Sequence, residues 1–290
     1  MVKHGDKSIV LGDFHHSDGK EAEGESASLS DAQILRFAKD LVTARREIKD
    51  THRQLAGANR QLEKYAGDLR KTISGLKSAK REVENAYFDT IRRLVTAAEY
   101  KDRDTGNHIS RISAYSALLA KRIGLDTNLV KTLVYAAPMH DIGKIGIPDR
   151  ILLKNGTLLA PEYELMKCHT LIGANILAES KADVLRAAEQ IALYHHEKWN
   201  GEGYPEGLSG ERIPLNARIV ALVDTFDALT SKRPYKAPLS TEKSLAILKS
   251  ERGRHFDPVL VDIFLANVDD LLRIRKRCNE DARLMRDPLF

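Results

Sequence analysis

The sequence has little cysteine, no long apolar run and few signals for β-strands. Two cysteines, Cys168 and Cys278, are too few for the disulfide framework of a small secreted domain. They favour a reducing compartment, so we expect a cytoplasmic protein. No apolar run approaches the roughly 20 residues that a membrane-spanning helix needs, and the start, MVKHGDKSIVLGDFHH, lacks the apolar region of a signal peptide. We therefore expect neither a disulfide-rich scaffold nor a membrane span.

The charge balance is basic, with a net charge of +5 and a pI near 9.0, which is compatible with a polyanionic partner. No nucleic-acid recognition motif accompanies this charge, and many of the basic residues fall on predicted helix faces such as LLRIRKRC. We therefore expect no DNA partner, whereas small ligands that carry phosphate remain compatible with the charge.

Strand runs with hairpin turns are missing, and the second half of the chain shows helical periodicity instead. Apolar residues recur three and four positions apart in ISRISAYSALLAKRI, NLVKTLVYAA, EYELMKCHTLIGANIL and DVLRAAEQIALYHH. Helix starts are marked by Pro161 with Glu162, by Ser240 and by the Asp257-Pro258 pair. The sequence predicts an all-α fold with one long loop, KWNGEGYPEGLSGERIP, which is too rich in glycine and proline to be helical.

The first part of the chain predicts a tail and then a long helix. Residues 1–30 include SDGKEAEGESASLS, which is acidic and nearly free of large apolar side chains, so we predict disorder. From about Ser30 to Tyr87, every seventh residue is apolar, a repeat that is typical of a left-handed coiled coil. The residues of this row are Leu41, Ile48, Leu55, Leu62, Leu69, Leu76 and Val83.

With this row at heptad position d, position a is largely polar and has Asn59 near its centre. An asparagine at position a favours a parallel dimer of modest stability, so we predict a homodimer through the N-terminal coiled coil. The alternative is that the helix packs this stripe against its own domain. The predicted organisation is a disordered tail over 1–30, a coiled-coil helix over 31–87 and a globular domain over 88–290.

Five of the ten histidines lie between positions 108 and 196, and carboxylates accompany them. His140 is followed by Asp141, His195 by His196, and Asp224 and Asp227 lie on an otherwise apolar helix, RIVALVDTFDAL. Imidazoles and carboxylates together suit divalent iron, manganese, nickel or zinc, and the lack of cysteine ligands disfavours structural zinc. The number of donors exceeds what one ion needs. Two or more ions are therefore expected, which is typical of phosphoryl hydrolysis sites.

Several motifs, in one order, resemble the HD-GYP family, a branch of the HD phosphohydrolases that hydrolyses cyclic di-GMP. They run from about Thr90 to Asn267 and comprise DRDTGNHISR, HDIGKIGIPD, the stretch around His169, YHHEKWNGEGYP and DTFDALTSKRPYK. The triplet Gly203-Tyr204-Pro205, which gives the family its name, is intact. The resemblance implies an HD-type helical catalytic domain behind the coiled coil, with a metal-dependent phosphodiesterase activity on cyclic di-GMP.

The resemblance also implies roles for individual residues. The expected catalytic set is His140, Asp141 and Lys144, with Lys144 contacting the substrate phosphate. The expected metal ligands are Asp104, His108, His140, Asp141, His169, His195, His196 and Asp224. The expected substrate contacts are Lys144, Tyr204, Asp227, Arg233 and Lys236, with support of a metal ligand from behind as the alternative for Asp227.

The implied chemistry is attack of a metal-bridging hydroxide on phosphorus, with the ribose 3′ oxygen leaving, to give linear pGpG, GMP or both. The implied cofactors are two or three divalent ions, with iron or manganese preferred. Asp104 stands where the family commonly has glutamate at a third ion, so we expect that ion to bind more weakly. His140 and Lys144 are four positions apart, and a helix would bring them onto one face.

Two other functions share these residues. One is an HD phosphohydrolase that acts on another nucleotide, and the other is a non-catalytic sensor of a cyclic dinucleotide. The intact Gly203-Tyr204-Pro205 triplet and the RPYK segment favour cyclic di-GMP, and the complete ligand set favours an enzyme. The resemblance also implies that the loop around this triplet can be a recognition surface for diguanylate cyclase (GGDEF-type) domains.

Overall fold

The structure is a computed structural model that describes residues 30–102, 107–231 and 237–280. The predicted all-α fold is confirmed: these residues form α-helices and short 3₁₀ helices, and no β-strand occurs among them. The chain divides into two compact units between Lys77 and Ser78. None of the described helices has the length and apolar character that crossing a membrane requires.

The helices follow one another with short connections. They are α1 (Asp31–Asp102), α2 (Asn107–Arg122), α3 (Thr127–Ala136), α4 (Asp149–Leu152), α5 (Ala160–Lys167), α6 (His169–Leu177), α7 (Asp183–Tyr194), α8 (Leu215–Thr230), α9 (Thr241–Ser250), α10 (Pro258–Ala266) and α11 (Val268–Glu280). The 3₁₀ helices are Ala137–Met139, Ile142–Gly146 and Gly210–Arg212.

Helix α1 contains the whole heptad pattern and continues beyond the predicted end at Tyr87 to Asp102. The seven apolar residues of the predicted d row are between 58% and 71% exposed. No described part of this chain covers that row, so the row is open to a partner helix. The predicted dimer and the domain boundary at residue 87 stay predictions.

The second unit, residues 78–290, has an aromatic and aliphatic core. The ring of Phe226 on α8 lies edge-on to Tyr115 on α2 and to Phe264 on α10, with centroid distances of 5.8 and 5.0 Å. All three rings are fully buried. The predicted helix starts at Ser240 and Asp257 are confirmed, because both side chains accept backbone N–H groups of the first turn.

The segment that carries His140 and Asp141 is not α-helical. It passes from one 3₁₀ helix, Ala137–Met139, into the next, Ile142–Gly146. The expectation that an α-helix brings His140 and Lys144 onto one face is therefore wrong. In a 3₁₀ helix residues three apart align, so Lys144 lies over Asp141, with 2.6 Å between Nζ and Oδ2.

Gly143 explains how closely this segment packs. A Cβ at Gly143 would lie 1.9 Å from the carbonyl oxygen of His169 and 2.4 Å from the backbone nitrogen of Gly173. Only a residue without a side chain permits this approach of the 3₁₀ helix to α6. The approach brings Asp141 next to His169, and α6 in turn packs on α7, which ends at the His195-His196 pair.

Candidate metal centre

One group of potential ligands gathers Asp141, His169, His195 and His196, whose donor atoms all lie within 4.8 Å of one another. His169 is the first residue of α6, and His195 and His196 follow the last residue of α7. Nε2 of His169 is 3.3 Å from Oδ1 of Asp141, and Nε2 of His195 is 3.7 Å from the same oxygen. Two helix ends and the 3₁₀ segment thus converge on one point.

A second group consists of His108, His140 and Asp224, again within 4.8 Å of one another. Helix α2 supplies His108, α8 supplies Asp224, and the 3₁₀ segment supplies His140. Oδ1 of Asp224 is 3.7 Å from Nε2 of His108 and 3.8 Å from Nε2 of His140. Both imidazoles are buried, whereas Asp224 keeps part of its surface exposed.

Asp141 belongs to both groups by geometry. Its Oδ1 faces His169 and His195, while its Oδ2 lies 3.2 Å from Nε2 of His140 in the second group. A carboxylate in this position can bridge two ions that lie close together. All of the predicted metal ligands that the structure describes are therefore brought together, and they form two adjacent groups around one bridging side chain.

The donor atoms are prepared for metal ions. Nδ1 of His140, His169 and His195 donates to a backbone carbonyl, at distances between 2.7 and 3.0 Å. This hydrogen bond fixes the orientation of each ring and aims its Nε2 at the site, as metal-bound histidines require. Nε2 of His140 and Oδ1 of Asp141 are buried with no hydrogen-bond partner among the described residues. Such orphaned atoms are costly in a core unless a ligand satisfies them. The residues present fit divalent ions.

The protonation states differ between the two groups. Burial lowers the pKa of His169 to about 4, and burial also holds the pKa of His196 well below its usual value. For His140, burial disfavours the charged form, but the carboxylates of Asp141 and Asp224 outweigh it and raise the pKa to about 9. Burial raises the pKa of Asp141, yet the charges of Lys144 and His140 bring it well below its usual range. His169 and His196 are therefore neutral, whereas His140 holds a second proton, which an ion at Nε2 would displace.

Asp227 lies behind the second group and is buried, with 1% of its surface exposed. Its Oδ2 accepts from Nδ1 of His108 at 2.8 Å, and Arg111 donates to both of its oxygens, at 2.5 and 2.8 Å. Both oxygens of the carboxylate are therefore occupied from behind His108, an arrangement that favours support of a predicted ligand over contact with a substrate. Burial opposes ionisation of Asp227, but Arg111 and His108 hold its pKa far below the usual range.

The sequence alone did not indicate Arg111 as a site residue. It is buried on α2, three residues after His108, and also donates to Ser231 and Asn279. An arginine on the apolar face of an amphipathic helix, one turn from a predicted ligand, is the signal that could have identified it. Asp224 and Asp227 are likewise three residues apart on α8. One turn of α2, with His108 and Arg111, therefore faces one turn of α8.

The loop after α7 folds back over the first group. The backbone N–H of Tyr204 donates to the carbonyl of His196 at 3.2 Å, and the two rings stack at 4.8 Å between centroids with planes 25° apart. A Cβ at Gly203 would lie 2.3 Å from the backbone nitrogen of Lys198, so only glycine fits under this fold. Tyr204 therefore lies against His196, and its role in lining a substrate pocket stays a prediction.

Glu197 is a second residue that the sequence interpretation missed. Only 2% of it is exposed, and its Oε1 accepts the backbone N–H of Glu206 at 2.8 Å. Burial raises the pKa of Glu197. The carboxylate thus holds the middle of the loop, at Glu206, close to the end of α7. A charged residue directly behind two predicted ligands was the available signal.

Three expected site residues, Asp104, Arg233 and Lys236, lie outside the described residues. Lys144 is present beside Asp141, and a small cavity next to it is lined by Glu99, His108 and Asp141, among others. Glu99 comes from α1, which was not expected to reach the site. The long first helix thus ends with residues that line the candidate metal centre.

Comparison with known proteins agrees with this geometry. The sequence model of the family described as HD domain matches residues 93–260, more than half of the chain. A cyclic di-GMP phosphodiesterase of Thermotoga maritima is 42% identical over 196 residues, which cover 68% of this chain and 53% of that protein. A cyclic di-GMP phosphodiesterase response regulator of Xanthomonas campestris pv. campestris is 47% identical over 184 residues, covering 63% of this chain and 49% of that protein.

A 3′3′-cGAMP-specific phosphodiesterase of Vibrio cholerae is 42% identical over 187 residues, which cover 64% of this chain and 36% of that protein. The chain spans about half the length of the first two relatives and less of the third. Among solved structures, a cyclic GMP-AMP-specific phosphodiesterase of V. cholerae superposes with a TM-score of 0.50 at 21% identity, covering 69% of this chain and 54% of that one. At this identity the likeness shows a shared fold.

Proposed function

The chain belongs to the HD domain family, in the HD-GYP branch that its sequence motifs indicated, and from this membership we propose that it hydrolyses the phosphodiester bonds of cyclic di-GMP. The observation that carries the proposal is the pair of ligand groups that share Asp141. Paired sites of this kind suit in-line displacement at phosphorus, because both the attacking and the leaving oxygen need a neighbouring positive charge.

The proposed cofactors are two divalent ions, with iron or manganese preferred because neutral imidazoles and carboxylates suit both. His169, His195 and His196 would hold one ion, and His108, His140 and Asp224 the other, with Asp141 between them. Bound ions would neutralise charge on the phosphodiester and lower the pKa of water towards neutrality. A weaker third ion at Asp104 remains part of the proposal.

The side chains around the ligands support the same reaction. The ammonium of Lys144 is held at Asp141 and can donate to a non-bridging phosphate oxygen, which is a charge-assisted contact. Asp227 and Arg111 keep Nδ1 of His108 protonated, so that its Nε2 lone pair stays directed into the site. The ring of Tyr204 covers one face of His196. Arg233 and Lys236 are proposed to hold the dinucleotide.

Hydrolysis is tested with the full chain, purified anaerobically, loaded with Fe(II) or Mn(II) and given cyclic di-GMP. We expect linear pGpG, GMP or both by chromatography. Replacing the bridging carboxylate, Asp141→Ala, should lower the rate more than about a hundredfold, since even residues behind metal ligands cost 10- to 100-fold. The matched control is Asp183→Ala, an exposed aspartate paired with Arg186 on α7, which should leave the rate unchanged.

Each alternative has its own outcome. Tight binding of cyclic di-GMP without product, in protein that holds metal, would make the chain a sensor. The relative that is named for 3′3′-cGAMP gives a specific reason to run that dinucleotide in parallel. Faster turnover of 3′3′-cGAMP than of cyclic di-GMP would make 3′3′-cGAMP the preferred substrate of this chain. Equal turnover by Asp141→Ala and wild type would sink the assignment of the site.

The proposed partners follow from two surfaces, one on α1 and one on the loop around Tyr204. The exposed d row of α1 suits a homodimer through a parallel coiled coil, and the loop around Tyr204 is proposed to contact GGDEF-type domains. The cytoplasmic location stays a prediction.

A further inference from the structure

Aromatic and basic side chains form a row that leads from the first ligand group to the protein surface. The ring of Tyr204 stacks on His196. The ammonium of Lys167 lies 5.4 Å from the centroid of Tyr204 and 5.0 Å from the centroid of Tyr163. Tyr163 is 47% exposed, whereas the Lys167 side chain is 28% exposed. We call Tyr163, Lys167 and Tyr204 the rim cluster.

The backbone couples the rim cluster to the metal centre. Tyr163 and Lys167 are four residues apart on α5, so they share a face. His169 follows Lys167 after a single residue and begins α6. Its Nδ1 is anchored to the carbonyl of Met166, the neighbour of Lys167, at 2.7 Å. The position of the rim cluster is thus fixed relative to a predicted ligand.

The chemistry of the rim cluster matches a nucleobase. Lys167 lies over the Tyr163 ring, and with about half of Tyr163 exposed, ring surface remains open to a ligand. Bases stack on exposed aromatic rings, and a lysine ammonium donates to the O6 and N7 acceptors of guanine. Glu164 pairs with Lys167 at 2.7 Å, but Glu164 is 68% exposed, so this ion pair is weak and open to exchange.

A cyclic dinucleotide extends well beyond the phosphate that is cleaved. When one phosphate of the dinucleotide lies at the ions, the two bases of the dinucleotide reach outwards from them by several ångströms. We propose that Tyr163 and Lys167 form a guanine subsite at the mouth of the metal centre, an inference that rests on the proposed function. In this subsite Tyr163 stacks on the base, and Lys167 donates to the acceptor edge of the base. The rim cluster then holds substrate without taking part in bond breaking.

The test is a comparison of KM and kcat for cyclic di-GMP among Tyr163→Ala, Tyr163→Phe, Lys167→Met and wild type. Stacking on one aromatic ring is worth roughly 5- to 100-fold in affinity, so KM should rise by that factor in Tyr163→Ala and fall back towards wild type in Tyr163→Phe. Lys167→Met should also raise KM. Metal content, and the rate on bis(p-nitrophenyl) phosphate, a diester without a base, should not change. Tyr65→Ala, another exposed tyrosine, is the control.

The other outcomes overturn the subsite. An unchanged KM for cyclic di-GMP in Tyr163→Ala removes the stacking role while the proposed function stands. Loss of metal, or an equal loss of rate on both diesters, makes the rim cluster a purely structural support for His169. If wild type cleaves bis(p-nitrophenyl) phosphate but no cyclic dinucleotide, the proposed function fails and the guanine subsite fails with it.

Discussion

Asp227 shows how one buried carboxylate can serve two distant partners. It accepts from His108 and from Arg111, which lies 116 positions away in sequence. Each oxygen is occupied by a charge-assisted or imidazole donor, so the carboxylate is held in one orientation. Removing Arg111 would leave the buried carboxylate without its cationic partner, which is strongly destabilising in general.

Replacing Asp227 with asparagine tests this support. The amide keeps one acceptor but turns an NH₂ group towards Arg111 or His108, so the imidazole loses its fixed tautomer. We expect the affinity of the second ligand group for a divalent ion to fall about 10- to 100-fold, measured by competition with a chelating dye. Asp183→Asn on the surface of α7 serves as the control. Unchanged affinity in Asp227→Asn would exclude a supporting role.

The proton on His140 predicts a pH dependence of metal binding. Since the pKa of His140 in the metal-free protein is raised to about 9, the imidazole is protonated at pH 7 and must lose that proton when Nε2 binds an ion. Affinity should therefore increase with pH up to about 9 and level off above it. Titration calorimetry at pH 7 in buffers of different ionisation enthalpy should show about one proton released from this group. Heats that do not depend on the buffer would contradict the assignment.

The residues that could be predicted are those whose chemistry shows in a short stretch of sequence. His195-His196 is a rare doublet and His140-Asp141 joins two ligand types, so the sequence alone predicts both pairs as ligands. Arg111 could not be assigned in this way, because its role depends on Asp227, which only the packing of α2 against α8 brings near it. Whether Asp227 faced substrate or a ligand was open for the same reason.

At the scale of elements, Gly143 decides how close the 3₁₀ segment comes to α6. An alanine there would place its Cβ 1.9 Å from the carbonyl oxygen of His169, so the two elements must separate. Overpacking of this kind costs about 1–3 kcal/mol. We expect Gly143→Ala to lower the melting temperature by about 2–12 °C and to weaken metal binding, because Asp141 moves away from His169.

The matched control for this change is Gly67→Ala on α1, where no atom lies within 4 Å of the new Cβ. Alanine favours a helix interior over glycine by roughly 0.5–1 kcal/mol, so this variant should be as stable as wild type or slightly more stable. Thermal unfolding followed by circular dichroism, together with metal analysis, compares the two. A Gly143→Ala protein with wild-type stability and metal content would disprove the close-packing argument.

Helix starts and helix types differed in how well the sequence predicted them. Ser240 and Asp257 cap their helices as expected, because a cap needs only a side chain and the next backbone N–H groups. The 3₁₀ geometry around His140 was missed, because it follows from the contact of Gly143 with Gly173, which lies in another helix. Capping residues in the sequence therefore predict where a helix begins, whereas tertiary contacts decide whether a segment is a 3₁₀ helix or an α-helix.

At the scale of the whole molecule, the exposed d row of α1 predicts association. Buried apolar area drives coiled-coil pairing, so an acidic residue in the row should prevent it. We expect light scattering of the intact chain to give twice its 32.4 kDa mass, and the double variant Leu55→Asp, Leu62→Asp to give one chain mass. The control Gln54→Asp, Gln61→Asp adds the same charge beside the row and should stay dimeric. A monomeric wild type at micromolar concentration would refute the coiled coil.

The shared position of Asp141 has a consequence for how the protein responds to its surroundings. Because one oxygen faces each ligand group, an ion bound in the first group would hold the carboxylate in the orientation that the second group needs. If two ions bind as proposed, the second would bind at a smaller entropic cost than the first, so we expect cooperative loading. Activity would follow metal supply steeply, with half-loaded molecules scarce. A modest fall in available metal would then silence most copies together.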